Sequence, residues 1–253
     1  MDYYFLITAF PPLTIGVKPE LSFKELEDLL VLNLSGADLR KVDDLLRPID
    51  LYNIRALWLG MPLDDRGHIK AHELAEALLV QEGLPPYVVD YLERYETTQE
   101  RIRYFSSLYV SMYRSLIPDL KGFLLKYFEF DRELRLVLTG LRAKAFGKDI
   151  VREMQFEDHN EPLVMELLAQ KDMPDFIPPI GYEDLKNLFT LNFEDPQKLH
   201  QAILEYRFQK IEEMEEPMDF GIDRVLAYTQ KFLLAEEFAN LDKEKGMEQL
   251  EHL

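Results

Sequence analysis

Two histidines four residues apart are the first candidates for chemistry in this chain. His68 and His72 have a spacing that a zinc site can use, and Glu73 follows directly. However, His68 belongs to the loop-like stretch DDRGH, and no third ligand stands nearby in the sequence. We therefore interpret both as surface histidines and predict no metal site.

A second candidate is the polar stretch Glu157, Asp158 and His159, which could bind a cation from a loop. A solvated polar loop is the preferred interpretation. The chain contains no cysteine, which excludes thiolate ligands and cysteine nucleophiles. It also has no glycine-rich phosphate loop, dinucleotide fingerprint or nucleophile elbow. The sequence thus predicts no catalytic residues, no metal and no cofactor.

The third candidate is a pair of arginines, Arg135 and Arg142, seven residues apart in a basic segment. Residues 121–152 hold eight Lys or Arg against four Asp or Glu, in a chain of net charge −18. On a helix the two arginines would lie roughly 10 Å apart on one face. They either pair with acids of the same chain, such as Asp131, or form a basic face for a carboxylate-bearing helix of this chain or of a partner. Internal pairing is the preferred interpretation.

The element that positions these arginines is a helix, because apolar residues recur in steps of three and four. The stripe comprises Phe123, Tyr127, Phe130, Leu134, Val137 and Leu141. Gly147 is predicted to end this helix, with Lys144 and Lys148 near its negative dipole end.

Local signals place the other elements. Residues 3–10 fit either a short strand or a buried helix. Capping residues predict helix starts at Ser22, Ser35 and Thr97–Thr98, the last for a helix over 99–117. Pro48 is expected to end the helix that begins after Ser35, and Asp50 to start a short helix closed by Gly60.

These signals predict an all-α protein of about nine to eleven helices. Its length of 253 residues suits one domain, 1–253, with possible sub-units 1–95 and 97–253. The proline-rich stretch 172–181 is predicted to be a linker. The final segment, 241–253, is expected to fray or to form one short helix.

The acidic balance limits the classes of partner. A net charge of −18 argues against broad nucleic-acid binding and against docking on anionic lipid, and a basic protein surface would complement it. Charge that merely keeps the protein soluble is the alternative. There is no run of 18 apolar residues, so we expect no membrane insertion. The apolar N-terminus lacks a basic leader region, which predicts a cytoplasmic protein.

An internal echo indicates duplicated helical units, with chance as the alternative. The stretch NIRALWLG at 53–60 aligns with ELRLVLTG at 133–140, so that Arg55 matches Arg135 and Gly60 matches Gly140. IDRVLAY at 222–228 is a weaker third copy.

Three separated blocks resemble a bacterial family whose genes lie among those for V-type ATPase subunits. They are DYYFLITAFPPL, LRLVLTGLRAKAFGKDI and FGIDRVLAYTQKFLLAEEFANLDKEKG. The pattern Asp50, Asn53, Ile54, Arg55 and the block 131–144 are also similar to the repeated motif of the C subunit of V-type ATPases, which is named d in eukaryotes. The chain is shorter than that subunit, and its third motif copy is poor.

The resemblance implies a helical, duplicated subunit that seats the central stalk on the membrane rotor ring and does no chemistry. We therefore expect a non-enzymatic component of a bacterial V-type ATPase, serving ATP synthesis and proton or sodium ion transport. It would be cytoplasmic and peripheral to the inner membrane through that complex. Its partners would be central-stalk and rotor-ring subunits, and it would be a monomer in isolation.

The expected partner-binding residues are Asn53, Arg55, Arg135, Arg142, Lys144 and Lys148. Two alternatives remain open. One is a carboxylate-rich helical metal-dependent hydrolase that uses His68, His72 or His159. The other is an assembly chaperone of the same ATPase.

Overall fold

A computed structural model describes residues 2–215 and 219–241 of the chain. All regular structure in these ranges is helical, so the all-α prediction is confirmed, but the thirteen α-helices there exceed the nine to eleven that were predicted. They are α1 (Tyr4–Ala9), α2 (Phe23–Asn33), α3 (Gly36–Leu59), α4 (Ala71–Val80), α5 (Pro86–Arg94), α6 (Thr98–Arg103), α7 (Ser106–Leu116), α8 (Gly122–Ala145), α9 (Ile150–Glu153), α10 (Pro162–Leu168), α11 (Glu183–Asn192), α12 (Pro196–Glu215) and α13 (Ile222–Asn240). A 3-10 turn, Ile117–Asp119, follows α7. The prediction for the final segment falls on residues 242–253, outside the described ranges.

The helices form two compact units. The first unit comprises Met1–Leu34 and Gly122–Leu253, and the second comprises Ser35–Lys121. In the first, α8 packs against α9, α10, α12 and α13; in the second, α3 packs against α4, α6 and α7. These limits differ from those of the predicted sub-units, 1–95 and 97–253. The stretch predicted to be a linker, 172–181, lies within the first unit.

Helix α8 is the core of the first unit. All six residues of its predicted stripe are buried, and Leu124, Phe128, Leu136 and Ala143 are buried as well. Each large apolar side chain removed from water contributes about 1.5–3 kcal/mol. The helix is therefore enclosed over most of its surface, beyond the single stripe that its periodicity predicts.

Local capping signals are confirmed where side chains satisfy the free amides of a first turn. Ser22 and Thr97 each form a capping box, with Glu25 and Glu100 respectively. Gly60 ends α3 in the left-handed conformation, with φ of 68°. Residues 3–10, for which two conformations were open, contain α1 with buried Leu6.

The predicted helix end at Pro48 is wrong, because α3 runs through this proline over 24 residues. An interior proline costs about 3 kcal/mol in a lost hydrogen bond and steric conflict. Burial of Leu45 and Leu46 before it and Leu51 and Ile54 after it outweighs that cost. Asp50 consequently lies inside the helix and starts none.

The predicted single helix over 99–117 is also wrong, because the chain breaks between α6 and α7 at Tyr104 and Phe105. At the break, the Tyr104 carbonyl accepts from the Ser107 amide at 2.9 Å and from the Ser107 hydroxyl at 2.8 Å. Phe105 is buried and meets Trp58 of α3 edge to face, with ring centroids 6.1 Å apart. Aromatic packing thus sets a break that helical periodicity does not reveal.

Gly140 allows a close approach between α8 and the stretch 172–181. A Cβ at this glycine would lie 2.3 Å from Cε2 of Phe176, which is itself buried. The loop therefore rests directly on the α8 backbone through one aromatic ring.

We expect Gly140→Ala to lower the free energy of unfolding by up to about 2 kcal/mol in urea denaturation. Alanine favours a helix by about 1 kcal/mol, but overpacking an enclosed ring costs about 1–3 kcal/mol. Gly36→Ala is the control, because no atom lies within 4 Å of its Cβ position, and it should leave stability unchanged or slightly raised. Equal stability of the two variants would contradict the proposed packing.

Candidate partner-binding surface

Asn53, a predicted partner-binding residue, is buried in the second unit and holds a loop of its own chain. Its side-chain amide donates to the Asp64 carbonyl and its side-chain oxygen accepts from the Asp64 amide, both at 2.7 Å. One turn earlier, Asp50 accepts from the Ile69 amide at 3.0 Å. Gly67 passes between the two side chains, since a Cβ there would lie 2.9 Å from each. We call this arrangement the loop clamp; Asn53 and Asp50 are its side chains and 64–69 is the held loop.

The electrostatics of the loop clamp are unusual because it buries a carboxyl group. Burial raises the pKa of Asp50, while the Ile69 amide and the nearby positive charge of Arg47 oppose that shift. His68 of the held loop approaches Asp43 at 3.0 Å between Nδ1 and Oδ1. The Asp-x-x-Asn pattern thus joins α3 to the loop that follows it.

Arg55, by contrast, is exposed on α3, and its guanidinium lies 5.9 Å from the ring centroid of Phe105. That distance is within the range of cation–π attraction. Arg55 and Asn53 belong to the second unit, whereas the other four predicted residues belong to the first.

Arg135 is paired inside the chain, as the preferred interpretation had it. It bonds Glu157, whose side chain is only 3% exposed. Arg132 contacts the same carboxylate at 3.2 Å and holds Glu161 through two bonds of 2.6 and 2.5 Å. We call these four residues the arginine–glutamate network, and it ties the segment before α10 to α8. The expectation of a solvated polar loop at 157–159 is therefore wrong for Glu157.

Asp131, the acid expected beside Arg135, bonds Arg207 of α12. Arg207 also donates to the Tyr127 hydroxyl at 2.7 Å, and burial raises the pKa of that tyrosine. A buried carboxylate, an arginine and a tyrosine thus connect α8 to α12 inside the first unit. The acid that accepts Arg135 comes from the loop after α9, a pairing across 22 residues of sequence.

Lys144 also bonds its own chain. Its Nζ donates to the carbonyls of Lys171 and Met173, at 2.8 and 2.7 Å. The loop is held again by Gln170, whose side chain accepts from the Ile177 amide at 2.8 Å and donates to its carbonyl at 2.9 Å. Residues 171–181 are therefore attached at several points around Phe176.

Arg142 and Lys148 lie at the C-terminal end of α8, beside Phe146. All three are exposed, and Phe146 is 63% exposed. Among the described residues, no carboxylate forms an ion pair with either cation. Arg142 is exposed as a residue, but protein atoms around its guanidinium displace part of the water and so lower its pKa below the ordinary value. We call Arg142, Phe146 and Lys148 the α8-end surface.

The histidines do not converge. His72 is exposed and approaches Glu73 at 3.7 Å, and the His159 ring lies 3.3 Å from the Met154 carbonyl. Within the ranges that the structure describes, no group of three or more His, Asp or Glu has metal-binding geometry.

The two aligned copies of the internal echo share apolar burial but differ at their glycines. Ile54 and Leu134 are both buried. Gly60 ends α3, whereas Gly140 lies inside α8 beneath Phe176. Duplication of helical units stays a prediction.

Sequence reasoning missed Phe146 and Gln170, and it placed Glu157 in a solvated loop. Phe146 lies one turn after Arg142, so the α8 periodicity could have drawn attention to it. No pattern in the sequence indicates the partners of Glu157 and Gln170, since tertiary packing brings each of these residues to its own partner.

Comparison with known proteins gives one family. A family model described as "Protein of unknown function (DUF2764)" matches residues 1–253. An uncharacterised protein of Chlamydia muridarum is 32% identical over 98% of this chain and 95% of its own length. Uncharacterised proteins of Chlamydia trachomatis and Chlamydia pneumoniae are each 30% identical, over 97% and 100% of this chain and 94% and 97% of their own lengths.

No solved structure matches the chain. Among the described residues, none of the helices combines the length and the apolar character needed to span a bilayer.

Proposed function

Because the chain belongs to the DUF2764 family, whose family description states no activity, we propose its function from its surface and its sequence resemblance. We infer that it is a non-enzymatic component of a bacterial V-type ATPase. In this role it binds other subunits as a connector between the central stalk and the membrane rotor ring.

The observation that carries the proposal is the α8-end surface, where two cations flank an exposed phenylalanine and pair with no carboxylate of the described ranges. Phenylalanine and arginine are both enriched at protein-binding surfaces. The V-type ATPase is proposed as the partner complex because three sequence blocks of this chain resemble a family whose genes lie among those for its subunits. One of those blocks contains Arg142, Phe146 and Lys148.

Internal packing supports a rigid connector. The arginine–glutamate network, the Asp131–Arg207 pair and the loop clamp each hold an irregular segment or a neighbouring helix against a 24-residue helix. A part that transmits force needs such links, because loosely attached segments yield before the helices do.

The test is direct binding to the purified complex. The tagged full-length chain is mixed at micromolar concentration with detergent-solubilised V-type ATPase from the source organism, and with its separate central-stalk and rotor-ring subunits. We expect co-elution in gel filtration and a defined stoichiometry by native mass spectrometry. Binding to free subunits but not to the assembled complex would favour the assembly chaperone. Failure to bind either form would overturn the proposal.

A further inference from the structure

The α8-end surface has a fixed shape, because a closed helix end orders it. Gly147 has φ of 62°, and its amide donates to the Lys144 carbonyl at 3.3 Å. The Lys148 amide donates to the Ala143 carbonyl at 2.8 Å. These two bonds form a Schellman motif, which sets the direction of the chain at Lys148. Arg142 and Phe146 lie one turn apart on the same face of the helix.

The three arginines of this face of α8 differ in what they meet. Arg132 and Arg135 are bound by Glu157 and Glu161. Arg142 lies on the same face, nearer the C-terminal end of the helix, and forms no ion pair with a carboxylate of the described residues. Its pKa is lowered by the partial loss of water around the guanidinium, with no carboxylate offsetting the shift. A partly desolvated guanidinium gains more from a carboxylate than a fully solvated one does.

The acidic residue next to Lys148 in the sequence, Asp149, has another role, so Arg142 and Lys148 can pair with a carboxylate of another molecule. The Asp149 carboxylate caps α9 and accepts from the Val151 amide at 2.9 Å. The helix dipole favours lysine and arginine at a C-terminus and accounts for positive charge there. It does not account for a phenylalanine with 63% of its surface exposed between them. The combination points to an occupant with carboxylates beside an apolar side chain.

We propose that the α8-end surface binds a carboxylate-bearing amphipathic segment of a partner protein. Carboxylates of the segment pair with Arg142 and Lys148, and an apolar side chain of the segment covers Phe146. The inference rests on the proposed function only in taking the occupant to be a protein. Arg142 and Lys148 select the sign of its charge, because both are positive and neither forms an ion pair with a carboxylate of the described residues.

Two synthetic helical peptides test the inference without the ATPase. Both peptides have the same stripe of leucine and phenylalanine. The positions that flank the stripe are glutamate in one peptide and lysine in the other. Binding to the full-length protein is measured by fluorescence anisotropy in low and physiological salt. We expect R142E/K148E to weaken binding of the glutamate peptide by about tenfold, which corresponds to about 1.4 kcal/mol. Phe146→Ser should weaken it about fivefold, through lost apolar contact.

The control variant is K18E/K126E, which makes the same change in net charge at two exposed lysines of the first unit. It should bind the glutamate peptide within about twofold of the unaltered protein, since only the long-range field changes. Equal losses in R142E/K148E and K18E/K126E would overturn the inference. So would a glutamate peptide that binds no better than the lysine peptide. Circular dichroism verifies that each variant is folded.

The same variants separate this inference from the proposed function. If the protein binds the V-type ATPase and R142E/K148E binds it equally well, the inference fails and the proposed function stands. If the glutamate peptide binds at the α8-end surface but none of the ATPase subunits does, the proposed function fails and the inference stands. Sedimentation of the free protein tests a second copy as occupant, and an R142E/K148E-sensitive dimer would overturn the choice of a partner protein.

Discussion

Glu157→Gln should lower the free energy of unfolding by about 2–4 kcal/mol, somewhat less than the about 3–5 kcal/mol lost when one member of a fully buried ion pair is removed. The Glu157 side chain is 3% exposed and accepts from Arg132 and Arg135, which are 17% and 25% exposed. A neutral amide leaves both guanidinium groups in partly buried positions without this carboxylate. Arg132 retains Glu161, so the loss should be smaller than for a fully isolated charge.

Urea denaturation followed by circular dichroism measures this loss, with Glu153→Gln as the matched control. Glu153 is an exposed glutamate of α9, four residues before Glu157 along the chain. Its replacement should change stability by less than about 0.5 kcal/mol, as surface substitutions usually do. Similar values for the two variants would show that the arginine–glutamate network does not hold the segment before α10.

Asn53→Ala should lower the free energy of unfolding by about 2–3 kcal/mol, because it leaves two backbone groups of the held loop without their partner. The Asn53 side chain is fully buried, and both of its hydrogen bonds to Asp64 measure 2.7 Å. Hydrogen exchange of the amides in 64–69 should rise more than that of α3. Asn33→Ala, which removes an exposed amide at the end of α2, should cost less than about 0.5 kcal/mol.

A second substitution at the same position separates hydrogen bonding from packing. Asn53→Asp keeps the shape of the side chain but places another carboxyl group beside buried Asp50. The pKa of the introduced carboxyl group should therefore be raised in the folded state. The cost is then fully present above the folded pKa and declines as the pH falls toward the unfolded value of about 4. Below that value the protonated group again donates to the Asp64 carbonyl. A destabilisation independent of pH between about 3 and 7 would contradict this account.

The two substitutions at Asn53 also bear on the predicted partner-binding residues. If Asn53→Ala unfolds the held loop, any loss of partner binding in that variant follows from the loop, and Asn53 is a positioning residue. Arg135 and Lys144 similarly bond Glu157 and the loop carbonyls. Arg142 and Lys148 are the predicted residues whose substitution tests binding with least effect on the internal network.

Local sequence determined the helical class, the core stripe of α8 and several helix ends. Ser22 with Glu25, and Thr97 with Glu100, satisfy the free amides of a first turn from three residues away. Gly60 and Gly147 adopt positive φ, which other residues rarely do. Such effects act within one or two turns, so the sequence by itself specifies them.

Tertiary structure decided where local rules gave way. The helix continues through Pro48, because buried leucines on both sides outweigh the lost hydrogen bond. The break between α6 and α7 follows the position of Phe105 against Trp58. Neither outcome can be obtained from a window of neighbouring residues, since the deciding contacts come from other helices.

The candidate site divides in the same way. The sequence determined a basic end to α8, with Arg135, Arg142, Lys144 and Lys148 at helical spacing and an acidic chain around them. Only the tertiary structure decided that Glu157 pairs with Arg135 and that two loop carbonyls accept hydrogen bonds from Lys144. It also left Arg142 and Lys148 exposed beside Phe146. The reason is physical: a charge pairs with whichever group the fold brings within about 3 Å, and that group is here 22 to 29 residues away.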